Sequence, residues 1–177
     1  MGRAPMNIQL TILIAIILYC FYTDVRYSRI PNKATIPAIL LGFIINSVSL
    51  GLWGLMFALK GFAFGFVVFL IVHLLGGIGA GDVKLFGAIG SLMGFEFVLY
   101  TTVYSVLLAG VIGVIVLIYK RDIIRRLLNI PILIWNAILQ KNVQPFHQYK
   151  KFEAYQFPFM YAALPGVLVT IYSFYFL

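Results

Sequence analysis

Two of the five carboxylates in this sequence, Asp24 and Asp82, stand where long apolar runs meet short polar breaks. Asp24 closes one run, within Tyr22-Thr23-Asp24-Val25-Arg26, and Asp82 opens another, within Gly79-Ala80-Gly81-Asp82-Val83-Lys84. Ionisable groups at the margin of an apolar medium are costly, which makes each a candidate for function. Two like charges held close together cannot both ionise comfortably, so such a pair keeps one proton between its members. The unprotonated carboxylate can then draw a proton from a shared water while the protonated one polarises a carbonyl. The chemistry open to the pair is peptide hydrolysis by an activated water, with no covalent enzyme intermediate. Taken singly, each aspartate has a plainer reading as a helix-boundary charge, Asp24 paired to Arg26 or Arg29 and Asp82 to Lys84. Their recurrence at matching depth favours the joint, catalytic one. Glu96, Asp122 and Glu153 are read as solvated or ion-paired charges at headgroup level.

The elements that would position these residues follow from composition. The 177 residues are 63% hydrophobic and only 10% charged, with a mean hydropathy of +1.03. A soluble domain is about half apolar and about a quarter charged, so a water-facing globule is excluded and a single integral membrane domain over 1–177 remains. Apolar runs of spanning length fall near 7–23, 34–50, 52–75, 85–101, 103–119 and 157–176. They do not alternate polar and apolar as membrane barrel strands would. The expected fold is all-α, a polytopic membrane protein of about six transmembrane helices. No small-residue cleavage site follows the first run, so it is read as a span and not as a cleaved signal peptide. Two whole spans separate Asp24 from Asp82, which returns them to one membrane face. Between the last two runs, 120–151 places Ile123, Ile124, Leu127, Leu128, Ile132 and Trp135 among basic residues. That pattern predicts an amphipathic interfacial helix on anionic headgroups.

Thirteen Lys and Arg against five acids give +8. In so apolar a chain this excess marks the cytoplasmic side of a membrane protein and not nucleic-acid binding. With six spans and an external N-terminus, eleven of the thirteen bases fall on one side, leaving Arg3 opposite and Lys60 within a span. The expected location is therefore a cell membrane crossed several times, with both aspartates facing the cytoplasm. Cys20 allows no disulfide and no cysteine-based zinc site, and no metal or other cofactor is expected. His73 is read as a bundle-facing hydrogen-bonding residue, since a lone histidine makes no metal site.

Gly76, Gly77, Gly79 and Gly81 weaken helix beside Asp82 and permit close backbone approach. Non-helical chain at membrane depth is tolerated only where protein buries it or water reaches it. A peptide must be extended for its carbonyl to be attacked, and exposed main chain here could pair with it. Gly79, Gly81 and Lys84 are thus the expected substrate-binding residues, the plainer reading being a loop between spans.

Asp24 with Arg29-Ile30-Pro31-Asn32, together with Gly79-Ala80-Gly81-Asp82-Val83-Lys84-Leu85, resembles the type IV prepilin peptidases, aspartic intramembrane proteases of the GxGD class. The likeness covers about 7–119, and Phe157 to Gly166 is similar to the proline-containing start of that family's last helix. The resemblance implies cleavage of a prepilin-like or preflagellin-like precursor after a glycine, on the cytoplasmic side, with Asp24 and Asp82 as the catalytic pair. Many bacterial members also carry paired CxxC motifs and an N-methyltransferase activity. This sequence has one cysteine, so it resembles the short, peptidase-only form. Two other classes fit parts of the pattern: a proton-coupled transporter, whose acids usually lie near the midplane, and a noncatalytic pilus-assembly subunit in which Gly61 and Gly65 serve close helix packing.

Overall fold

The computed structural model describes residues 6–119 and 159–176; the amphipathic segment expected at 120–151 lies outside them. Among the described residues all regular structure is helical, as an apolar medium requires of chain that must satisfy its own peptide groups. The helices are α1 (Met6–Tyr27), α2 (Asn32–Leu74), α3 (Ala80–Met93), α4 (Phe95–Tyr119) and α5 (Met160–Phe176). Among the described residues, three stretches are long and apolar enough to cross a membrane: Ile8–Tyr27, Asn32–Leu74 and Phe95–Ile115.

A straight helix of 43 residues would be about 65 Å long, roughly twice the thickness of a bilayer's hydrocarbon core. α2 is instead interrupted at Gly51, whose φ of 58° and ψ of −137° only glycine adopts readily. Across that break Gly54 meets the backbone of Asn46, and the rings of Phe43 and Phe62 lie 5.7 Å apart. The two halves, 32–50 and 52–74, therefore fold back on each other, over the stretches where separate runs 34–50 and 52–75 are expected.

The next boundary differs from expectation. The chain breaks at Gly94, with φ 86°, and runs helically through Thr101 and Thr102, where the expected spans 85–101 and 103–119 would meet. Both hydroxyls are satisfied without a break there: Thr102 donates to the Val98 carbonyl one turn back at 2.7 Å, and Thr101 to Thr170 of α5 at 3.2 Å. The expected spans 85–101 and 103–119 are thereby redrawn as α3 and α4.

α3 is the centre of the packing and is almost wholly buried from Asp82 to Leu92. It sits between the halves of α2. Gly42 and Asn46 of the first half meet Ser91, while Gly61 and Gly65 of the second meet the backbone at Gly90 and Phe86. Small residues at such crossings let backbones approach closely where lipid offers no hydrophobic drive. Phe69 stacks on Phe86 with centroids 3.6 Å apart. The Asn46 amide donates to the carbonyls of Gly42 and Ser91 and accepts from Gln9 of α1, tying three helices at the end remote from the aspartates. Leu13 and Ile17 of α1 and Met160, Ala163 and Val167 of α5 complete the core.

By internal packing the chain separates into two units, residues 1–109 with 158–177, and residues 110–157. Of the second, the described part is the C-terminal stretch of α4, where Gly110 and Gly113 have open space around them.

Candidate active site

Asp24 lies in the last turn of α1 and is only 8% exposed. Four residues later the chain leaves the helix through Ser28, in the left-handed region at φ 49°, whose N–H still bonds the Asp24 carbonyl at 2.8 Å. A helix C-terminus disfavours a negative charge. The compensating donor comes from another helix: the backbone N–H of Met160, the first residue of α5, donates to the Asp24 carboxylate. The amide-rich start of α5 thus faces the carboxylate at the end of α1.

Asp82 is the third residue of α3 and 6% exposed. Its Oδ2 reaches back to accept the Gly79 N–H at 3.2 Å, and its own N–H donates to the Gly79 carbonyl at 3.1 Å. This is the acidic half of a capping box, in which a side chain at N3 satisfies the N-cap amide. The other carboxylate oxygen, Oδ1, is buried with no hydrogen-bond partner. A buried polar atom without a partner is rare and is accepted where chemistry needs it or a ligand supplies the bond.

The two aspartates come to one end of the bundle. Asp24 lies close enough for its charge to act on Asp82, and both act on Cys20, one turn below Asp24 and fully buried. Two of the nearby cations are engaged elsewhere. Arg26 donates to the Tyr22 hydroxyl at 2.6 Å and lies over the rings of Tyr22 and Tyr27, while Lys84 donates to Asn32 of α2 at 2.8 Å.

The glycine segment is partly as expected. Residues 75–79 are non-helical and Gly76 has φ 82°, but Gly81 is already inside the first turn of α3, with Ile30 packed where its side chain would be. The N–H groups of Leu75, Gly76 and Gly77 bond the last carbonyls of α2, and that of Gly79 bonds Asp82. Carbonyl oxygens, more than N–H groups, remain for an incoming peptide there. Lys84 is half-buried beside this segment. His73 reaches out of α2 to the segment itself, its Nδ1 2.8 Å from the Ile78 carbonyl oxygen. Two contacts were invisible to residue spacing: the Met160 donor, which depends on where α5 docks, and the bond from His73 across two glycines. For the first, the similarity of Phe157–Gly166 to a helix start was the available signal.

Both aspartates fall inside residues 11–114, the region matched by the model of the Type IV leader peptidase family. The match covers more than half of the sequence. The chain belongs to this family. It is 31% identical over 105 residues to the prepilin leader peptidase/N-methyltransferase of Bacillus subtilis, an alignment covering 58% of this chain and 42% of that protein. It is also 32% identical over 102 residues to the prepilin peptidase EppA of Methanothermobacter thermautotrophicus, covering 51% of this chain and 26% of that protein. The chain thus spans less than half the length of the curated relatives it matches. No solved structure matches it.

Proposed function

We propose that this chain is a membrane-embedded aspartic endopeptidase that removes the leader of a type IV prepilin-like precursor, after a glycine, at the cytoplasmic membrane face. One observation carries the reading: two carboxylates from distant parts of the sequence meet at one end of the bundle, and one of them keeps a buried oxygen free of any bond. In this mechanism the pair shares one proton and titrates as a unit. The ionised member takes a proton from a water held between them, the water attacks the peptide carbonyl, and the protonated member donates to the carbonyl oxygen. The resulting gem-diol collapses as the leaving nitrogen is protonated, and the pair returns to its starting state.

The family and the curated relatives, which are named as prepilin peptidases, support the substrate class. The basic residues near the site, Arg26, Arg29, Lys33 and Lys84, support a cytoplasmic orientation. The proposed activity is cleavage without N-methylation, because Cys20 is the sequence's only cysteine and is buried within α1.

Incubating the purified protein with a candidate prepilin and determining the product's new N-terminus tests the assignment. A mature, unmodified N-terminus just after a glycine is expected. Asp24→Asn and Asp82→Asn should each reduce cleavage below detection while the proteins remain inserted and folded; full cleavage by either variant sinks the dyad.

A further inference from the structure

The bond between His73 and Ile78 has a second end. The Ile78 carbonyl and the Gly79 N–H belong to the same peptide group. The ring nitrogen of His73 contacts the oxygen of that group at 2.8 Å, and its N–H contacts Asp82 Oδ2 at 3.2 Å. A carbonyl oxygen can only accept, so Nδ1 of His73 carries the proton. The chain of donors therefore runs from imidazole to peptide oxygen, and from peptide N–H to carboxylate. Hydrogen bonds in series polarise one another, and a peptide whose oxygen is bonded becomes the better donor through its nitrogen. The anchor is needed because of what surrounds it. Gly76, Gly77 and Gly79 leave this peptide group few conformational restraints of its own.

We propose that His73 is a positioning residue for Asp82, fixing the plane of the Ile78–Gly79 peptide so that one carboxylate oxygen is held and the other is left free for the reaction. This rests on the reading of Asp82 as catalytic. The groups that face Asp82 are few: Asp24 and Cys20 from α1, His73 from α2, and the α3 N-terminus. Lys84 is turned to Asn32. Loss of the His73 bond frees the peptide to rotate, and misplacement of a reacting group by about 1 Å can cost roughly a hundredfold in rate.

The test compares four variants with wild type in proteoliposomes, using a candidate prepilin as substrate. His73→Leu removes the donor. His73→Asn keeps an amide nitrogen at the position of Nδ1, whereas His73→Gln places it at the position of the other ring nitrogen. Asp82→Asn reports on the catalytic reading itself. The expected result is a kcat lowered about tenfold or more in His73→Leu and His73→Gln, with KM within about twofold and the pH profile of kcat displaced. His73→Asn should recover most of the rate and the wild-type profile. Equal impairment of Asn and Gln variants overturns the positioning role, as does a Leu variant with wild-type kcat and profile. If His73→Leu fails to fold, the contrast between Asn and Gln decides alone. An active Asp82→Asn removes the catalytic reading and this inference with it, whereas an inactive one beside a normal His73→Leu removes the inference only.

Discussion

At the scale of residues, the two carboxylates are held in unlike ways. Asp82 is fixed by its own helix, through the N-cap amide three residues back. Asp24 ends a helix, where the macrodipole opposes its charge, and depends on an amide of α5. An asparagine at either position preserves the acceptor oxygen and the volume, so stability should change by no more than about 1–2 kcal/mol. Cleavage and the thermal midpoint should therefore separate in these variants. The proposed mechanism needs one proton held between two acids, so the rate should fall on both sides of an optimum. Below it both carboxyls are protonated and no base remains; above it both are ionised and no acid remains. A pH profile of kcat for the wild-type protein should be bell-shaped, and a single-sided profile would contradict a shared proton.

The elements show why some boundaries can be read from a sequence and others cannot. Five carboxylates in so apolar a chain make Asp24 and Asp82 conspicuous, and the helical character of the runs between them follows from hydropathy. The break at Gly94 and the continuity through Thr101-Thr102 invert the ordinary polarity rule. The hydroxyls find partners on α4 itself and on α5, facts about tertiary docking that no local pattern carries. Gly61 and Gly65 of α2 are legible as packing residues by their four-residue spacing, though what they pack against is not. At Gly61 an added side chain would run into the backbone at Gly90 and Gly94, while at Gly110 it would meet open space. Gly61→Leu should accordingly lower stability by about 1–3 kcal/mol or more, with cleavage lost as α3 is displaced. Gly110→Leu should leave both near wild type. Thermal melting in detergent distinguishes them, and equal effects would mean that α2 and α3 do not meet as described.

For the molecule as a whole, the apolar exterior is its solvent-facing surface in lipid, with Val48, Leu52 and Trp53 at about four-fifths exposure around the Gly51 reversal. That reversal and the aspartates lie at opposite ends of the α2 hairpin. The expected orientation rests only on the distribution of bases, and the same logic supplies its test. Cys20 is fully buried, so an added thiol dominates labelling. Arg29→Cys should resist a membrane-impermeant maleimide applied to intact cells, and Trp53→Cys should react; the reverse pattern would place the aspartates outside the cytoplasm.

The docking of α5 has one further consequence. Family likeness recognises residues 11–114, yet the peptide group that completes Asp24's surroundings belongs to Met160. Likeness and contact here draw different outlines: the matched stretch holds both aspartates, while one amide beside the first of them is delivered from beyond it.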